Sequence, residues 1–256
     1  MCGIVGYVGT KNIPGRAHFA LDVVLEGLRR LEYRGYDSAG IAVLDEGKIS
    51  FRKKAGKVAA LDEVIAADPL PQAVVGIGHT RWATHGGPTD ANAHPHVVDG
   101  GKLAVVHNGI IENFAELKTE LAEKGYTFKS ETDTEVAATL LSDFMHGAGE
   151  GDLTESMRLT CNRLEGAFTL LALHTDFPDR IVAARRNSPL VIGLGEGENF
   201  LGSDVSGFID YTKNAVEMAN DQIVTITATD YDIIDFDGNK AQGKPFKVEW
   251  DAAAAE

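Results

Sequence analysis

The pattern of apolar and polar positions has two parts, which meet near residue 167. Before that point, apolar side chains recur with the spacing of one helix face, and the pattern predicts helices over 19–31, 58–67, 112–124, 133–146 and 153–164. Between them lie short apolar runs bounded by glycine or polar residues, which predict strands over 4–8, 40–44, 49–52, 74–79 and 103–107.

After residue 167 the pattern predicts strands alone, over 168–174, 180–185, 190–194, 223–227, 231–236 and 246–250. Asp237-Gly238 predicts a hairpin turn between the last two strands. Strands and helices do not alternate strictly, so a parallel sheet is not required. We therefore expect an α+β fold in which helices cover the sheets. The glycine-rich run 193–197 lacks the spacing of a dinucleotide loop and is interpreted as a turn.

Composition narrows the possible classes of function. The chain has 256 residues, of which 44% are hydrophobic and 24% charged, which is typical of a globular protein with a sizeable core. No apolar run approaches the ~18 residues of a membrane span, and the first residues do not resemble a signal peptide, so we expect a cytoplasmic protein. The 24 basic and 38 acidic residues give a net charge of −14, which disfavours binding to nucleic acid or to a membrane surface.

The chain contains two cysteines, and their positions differ in meaning. Cys161 lies on the apolar side of a predicted helix and is interpreted as structural. Cys2 follows the initiator Met1, and removal of Met1 would place a thiol and a free α-amine on one residue. An α-amine with a pKa of ~7.7 to 8.0 can act as general base for that thiol. The alternative is that cysteine stands at this position by chance.

Three polar segments could carry binding or catalytic groups. Arg81 follows a predicted strand, and its planar guanidinium suits a carboxylate, although a surface loop with an ion pair is the alternative. Asn108 and Gly109 could direct two N–H groups at one point, as in an oxyanion hole, or could form a common turn. Asp133 could bind a ligand ammonium, but the segment 132–135 also has capping-box spacing at the start of a helix.

Five of the eight histidines lie between residues 79 and 107, which raises the question of a metal site. Their spacing matches no known zinc motif. His94 and His96 would also project from opposite faces of a strand. We therefore predict no metal site and no cofactor.

Six segments together resemble a known family. They are 2–6, 28–40, 79–86, 92–96, 107–113 and 131–135. This set resembles the glutaminase domain of glutamine–fructose-6-phosphate aminotransferases, which are class II glutamine amidotransferases of the N-terminal-nucleophile hydrolase superfamily. The resemblance implies a four-layer αββα sandwich of two antiparallel sheets. It also implies a glutaminase domain over 1–250, with 251–256 beginning a linker to sugar-isomerase domains.

The resemblance assigns roles by position. It implies that Cys2 is the nucleophile and that Asn108 and Gly109 form the oxyanion hole. It further implies that Arg81 binds the α-carboxylate of glutamine and that Asp133 binds the α-amino group. The other binding positions that it implies are Arg34 near the nucleophile, Trp82 as a gate for ammonia, and Thr84 and His85 in the binding loop.

The activity implied by this resemblance is hydrolysis of the glutamine side-chain amide through a glutamyl thioester, with release of glutamate and ammonia. In the full-length enzyme, a homodimer, the ammonia would convert fructose 6-phosphate to glucosamine 6-phosphate. The 256-residue chain alone is expected to make glutamate but no amino sugar. Two alternatives remain: an amidase of the same superfamily for another amide, and a non-catalytic module that binds glutamine.

Overall fold

The computed structural model describes residues 2–11 and 19–249. The first part of the chain contains β1 (Gly3–Gly9), α1 (Ala20–Arg30), β2 (Ser38–Asp45), β3 (Lys48–Ala55), α2 (Val58–Ala67), β4 (Val75–Arg81), β5 (His96–Val98) and β6 (Leu103–Ile111). Three helices follow, α3 (Phe114–Glu123), α4 (Asp133–His146) and α5 (Leu153–Arg163). The last part contains β7 (Gly166–His174), β8 (Arg180–Arg186), β9 (Val191–Leu194), β10 (Glu198–Gly202), β11 (Asn214–Glu217), β12 (Gln222–Thr227), β13 (Tyr231–Asp235) and β14 (Lys244–Lys247).

These strands form two sheets in which every paired neighbour is antiparallel. The eight-stranded sheet has the order β14-β11-β9-β10-β1-β4-β2-β3, and the six-stranded sheet has the order β13-β12-β8-β7-β6-β5. One apolar core lies between the sheets, a second lies under α1 and α2, and a third lies under α3, α4 and α5. The molecule is therefore a four-layer αββα sandwich, and the predicted fold is confirmed.

Side-chain alternation in β1 shows why this central strand is buried on both faces. Ile4 and Val8 point into the core between the sheets, whereas Val5 and Tyr7 point toward α1. On the neighbouring strand, a Cβ added at Gly78 would lie 2.3 Å from Cγ1 of Val24. Glycine is needed here because α1 packs directly on the backbone of β4.

Most of the predicted elements are present, but the structure corrects several details. It adds β5, β10 and β11, which the apolar pattern did not predict. The prediction of a hairpin between the last two strands is wrong, because β13 pairs with β12 whereas β14 joins the other sheet beside β11. The turn at Asp237-Gly238 closes only one bridge, between Ile234 and Lys240.

Some predictions fall on residues that the structure does not describe. Met1, Trp250 and the predicted linker 251–256 lie outside the described residues. Within the described part of the chain, no helix is both long and apolar enough to cross a membrane.

Candidate active site

The N-terminal residues are held in the middle of the eight-stranded sheet by side chains of two neighbouring strands. The backbone N–H of Gly3 donates to Oγ1 of Thr80 over 3.2 Å, and that of Ile4 donates to Oγ of Ser203 over 3.0 Å. Since β1 pairs with β4 on one side and β10 on the other, Cys2 emerges at a fixed place beside the end of β4.

The sulfur of Cys2 is in contact with backbone, not with a basic side chain. The N–H of Trp82 donates to Sγ over 3.1 Å, and the carbonyl oxygen of Trp82 lies 3.6 Å from the same sulfur. Burial raises the pKa of the Cys2 thiol, and the Trp82 N–H only partly opposes this effect. The thiol is therefore protonated at neutral pH and requires a base before it can act as a nucleophile.

Asn108 and Gly109 lie inside a strand, which excludes the alternative that they form a turn. β6 continues to Ile111, and Gly109 is paired with Phe168 of β7. Gly109 has φ +123, and an added Cβ would lie 2.0 Å from the carbonyl oxygen of Ala167. Only glycine fits here, and its conformation bends the strand where it passes Cys2.

The carboxamide of Asn108 is fixed at both ends. Its Nδ2 donates to the carbonyl oxygen of Cys2 over 2.8 Å, and its Oδ1 lies 3.0 Å from Nε2 of His79. The structure thus brings Asn108 and Gly109 beside Cys2.

Arg81, the last residue of β4, is almost completely buried and holds the loop that follows it. Its guanidinium donates to the carbonyl oxygens of His85, Gly86 and Gly87, the last two over 3.0 and 3.1 Å. The alternative of an exposed ion pair is wrong, because the acceptors are backbone carbonyls. Arg81 therefore shapes the binding loop in addition to any contact with a ligand.

Asp133 occupies the first turn of α4, but another residue caps this helix. Thr132 is the N-cap, and its Oγ1 accepts from the N–H of Glu135 over 3.3 Å. The carboxylate of Asp133 is instead directed toward β6, where Oδ2 accepts from the N–H of Ile111 over 2.9 Å. Nδ1 of His85 lies 3.8 Å from the same oxygen. The buried carboxylate thus faces the binding loop.

Two cavities meet at Cys2, Trp82, Thr84 and Gly109, which line both of them. The larger cavity has a volume of about 450 Å³, and its other walls are Arg34, Asn108, Ile110, Glu112, Ala167, Asn187, Ser188 and Pro189. The smaller cavity, of about 10 Å³, is lined by Arg81, His94, His107, Thr132, Asp133 and Thr134. The smaller cavity is lined by one cationic and one anionic side chain, and the other cavity is wider. Cys2 therefore lies where the two cavities meet.

The remaining predicted binding residues surround these cavities. Nη2 of Arg34 donates to Oδ2 of Asp204 over 3.1 Å. The ring of Trp82 is 48% exposed and meets the ring of Tyr36 edge-on at a centroid distance of 5.3 Å. Thr84 is exposed at the mouth, and His85 packs on Phe114 with ring centroids 4.7 Å apart.

Two polar residues that the sequence pattern did not single out support the site. The carboxylate of Asp37 accepts from the N–H of Ala83, and the N–H of Asp37 donates to the carbonyl oxygen of Arg81, so Asp37 fixes the start of the binding loop. His79 contacts Asn108 from behind. The signal for Asp37 was its place in a turn-rich segment too polar for a core, and the signal for His79 was a polar residue within an apolar strand.

The histidine-rich region bears on the question of a metal site. Within residues 2–11 and 19–249, no group of His, Cys, Asp or Glu has the arrangement needed to hold a metal ion. The prediction that His94 and His96 project to opposite sides is wrong, because residues two positions apart in a strand point to the same face, and β5 begins only at His96. Their rings lie together, with centroids 5.0 Å apart.

Comparison with known proteins agrees with this geometry. A family model described as a glutamine amidotransferase domain matches residues 79–210, which is about half of the chain. The chain belongs to the glutamine amidotransferase domain family. This amidotransferase chain is 76% identical over its full length to the glutamine–fructose-6-phosphate aminotransferase [isomerizing] of Corynebacterium diphtheriae, of which it covers 41%. It is 59% identical to the protein of the same name from Streptomyces coelicolor, of which it covers 40%.

A solved structure shares the fold of the amidotransferase chain. The glutamine phosphoribosylpyrophosphate amidotransferase from B. subtilis superposes with a TM-score of 0.76 at 25% identity, over 93% of this chain and 50% of that one. The amidotransferase chain thus spans about two fifths of the length of the curated relatives that it matches.

Proposed function

We propose that this chain hydrolyses the side-chain amide of glutamine to glutamate and ammonia, with Cys2 as the nucleophile. The observation that carries the proposal is the position of Cys2. Asn108 donates to the carbonyl oxygen of Cys2, and Cys2 and Gly109 line a pocket that Arg81 and Asp133 also line. A zwitterionic amino acid needs one cation and one anion to bind its α-carbon end, and these two residues supply them.

The reaction that fits this arrangement begins with transfer of the thiol proton to the α-amine of Cys2, once Met1 is removed. The sulfur attacks the amide carbon, and the carbonyl oxygen becomes negatively charged. A second hydrogen on Nδ2 of Asn108 and the backbone N–H of Gly109 are the donors for that oxygen. The C–N bond then breaks, and ammonia leaves with a proton from the ammonium group. Water hydrolyses the resulting thioester to release glutamate.

The remaining site residues have supporting roles in this proposal. Thr84 and His85 belong to the loop that Arg81 holds, and they shape the pocket for the amino-acid end of glutamine. Arg34 and the exposed ring of Trp82 border the wider cavity on the other side of Cys2, which is the side available for ammonia to leave.

We further propose that the longer protein uses this ammonia to convert fructose 6-phosphate to glucosamine 6-phosphate. Support comes from the name of the relatives, of which this chain covers about two fifths. In such a protein, sugar-isomerase domains would supply the second active site. The 256-residue chain incubated with glutamine and fructose 6-phosphate is expected to yield glutamate without amino sugar. Dimerisation and a cytoplasmic location stay predictions.

The test of the proposed function compares two cysteine variants. Cys2→Ala should abolish release of glutamate from glutamine. Cys161→Ala should keep activity close to that of the wild type, because Cys161 of α5 is buried in the core and burial raises its pKa. An electrophilic glutamine analogue should label Cys2 alone. Glutamine binding without hydrolysis by the wild type would instead support a binding module, and hydrolysis of other amides in preference to glutamine would support another amidase.

A further inference from the structure

A row of buried polar side chains extends from Asn108, and the proposed reaction assigns it no role. It consists of His79, His94, Thr134 and His107, each at most 4% exposed. Nδ1 of His94 lies 2.9 Å from Nδ1 and 3.1 Å from Nε2 of His79. Oγ1 of Thr134 lies 2.8 Å from Nε2 of His94 and 2.9 Å from Nδ1 of His107.

Asn108 determines which nitrogen of His79 carries a hydrogen. Nδ2 of Asn108 donates to the carbonyl oxygen of Cys2, so Oδ1 must be the atom that faces His79. A carboxamide oxygen only accepts hydrogen bonds. The hydrogen between the two residues is therefore carried by Nε2 of His79.

His79, His94 and His107 are neutral, because burial disfavours their charged forms. Burial lowers the pKa of His79 to about 3 and lowers the pKa values of His94 and His107 below the usual range. A neutral imidazole has one donor and one acceptor. Nδ1 of His79 therefore carries no hydrogen, because Nε2 carries the only one. Oγ1 of Thr134 also lies 3.5 Å from Oδ1 of Asp133, to which it donates.

The opposite orientation of the Asn108 carboxamide is unfavourable. Oδ1 of Asn108 would then face the carbonyl oxygen of Cys2, and two acceptors without a hydrogen between them repel each other.

We propose that His79 is a positioning residue of the glutaminase reaction: its Nε2–H holds the carboxamide of Asn108 with Nδ2 toward the oxyanion. This inference rests on the proposed function and assigns a role within the same site. Without His79 the carboxamide can rotate, and the oxyanion then meets an oxygen instead of a donor. The effect should fall on the chemical step, since His79 does not line either cavity.

Two substitutions separate positioning from packing. In His79→Gln, the side-chain Nε2 of glutamine can take the place of the ring Nε2 and can still donate to Asn108. In His79→Asn, the shorter amide reaches only the position of Nδ1. One oxyanion-hole donor is worth ~10²- to 10³-fold in kcat. We expect His79→Asn to lower kcat at least ~10-fold with KM for glutamine within about threefold, and His79→Gln to recover most of the loss.

A double-substitution cycle tests whether His79 acts through Asn108. In an Asn108→Ala background, His79→Asn should cause no further loss of kcat, because the carboxamide that it positions is gone. The same factor of loss in both backgrounds would overturn the proposal. So would equal losses for His79→Asn and His79→Gln, or a change confined to KM.

The tautomers can be measured on the wild-type protein, which covers the case in which a variant does not fold. In long-range proton–nitrogen NMR spectra of ¹⁵N-histidine protein, His79 should carry its hydrogen on Nε2. A hydrogen on Nδ1 of His79 would overturn the proposal. A wild-type chain that does not hydrolyse glutamine would contradict the proposed function instead, whatever tautomers are observed.

Discussion

The backbone N–H of Trp82 donates to the sulfur of Cys2 over 3.1 Å, although the two residues are eighty positions apart. The antiparallel pairing of β1 with β4 sets Gly3 opposite Thr80. Cys2, which precedes Gly3, therefore lies close to Trp82, which follows the end of β4. The contact comes from the backbone and does not depend on the indole ring. Because burial raises the pKa of the Cys2 thiol, the thiol requires a base before it can act as a nucleophile.

Activity should therefore require a free α-amine on Cys2. A chain with a blocked N-terminus, either retaining Met1 or N-acetylated, is expected to lose glutaminase activity, since the only proposed base is gone. Intact mass spectrometry identifies the N-terminus of each preparation, and release of glutamate measures its activity. Full activity of a chain that retains Met1 would contradict the N-terminal-base mechanism.

Asp133→Asn should impair the use of glutamine more than that of glutaramic acid, which lacks the α-amino group. Asparagine keeps an oxygen that can accept from the N–H of Ile111, so the end of β6 stays fastened while the negative charge is lost. Loss of one partner of a buried charged contact costs ~2 to 5 kcal/mol, or about 30-fold or more in kcat/KM. Equal losses on both substrates would mean that Asp133 supports the fold only. The melting temperature of Asp133→Asn, compared with that of Asp133→Ala, is the control.

Arg81→Lys should impair the use of glutamine more than that of 4-aminobutyramide, which lacks the α-carboxylate. Lysine keeps the positive charge but lacks the two parallel donors with which a guanidinium binds a carboxylate, so binding of the α-carboxylate is weakened. The loss of the contacts to the carbonyls of residues 85–87 affects both substrates alike. A loss of at least about tenfold in kcat/KM for glutamine is expected. If 4-aminobutyramide hydrolysis falls by the same factor, the role of Arg81 is confined to shaping the loop.

Gly109→Ala should destabilise the fold far more than Gly125→Ala. Both glycines have positive φ, at +123 and +95, but only Gly109 has a backbone oxygen 2.0 Å from the added Cβ, while Gly125 has open space around it. The left-handed conformation alone costs ~1 kcal/mol in each case, and overpacking adds ~1 to 3 kcal/mol at Gly109. Urea denaturation measures the two free energies of unfolding, and similar values would contradict the strand geometry described for Gly109.

The buried histidines should make the free energy of unfolding fall as the pH decreases from 7 to 5. The pKa of His79 is about 3 in the folded chain and ~6.5 when unfolded, so the unfolded chain binds the proton first. Stability is therefore fully present above pH 6.5 and is lost toward pH 3. His79 alone should account for about 2 kcal/mol between pH 7 and pH 5. Urea denaturation at the two pH values should show a smaller difference for His79→Gln, and an unchanged difference would contradict the assignment.

Local sequence determined much of this protein. Apolar spacing and capping signals predicted the five α-helices that the structure describes within residues 19–249, and α2 has the predicted bounds. The candidate catalytic and binding residues were also indicated by the sequence, through the cysteine at position 2 and the polar residues at the ends of β4 and β6. These features are readable because period, capping and residue type act within a few neighbours along the chain.

Tertiary structure decided what depends on distant partners. Gly109 sits in a strand and not in a turn because β7 pairs with it, and β10 and β11 are strands because neighbouring strands on both sides supply their hydrogen bonds. His79 contacts Asn108, and Arg81 contacts the carbonyls of the loop that follows it. A periodic pattern of apolar residues does not predict such contacts. Pairing register and the packing of two sheets set these distances, and both arise only when the whole chain is folded.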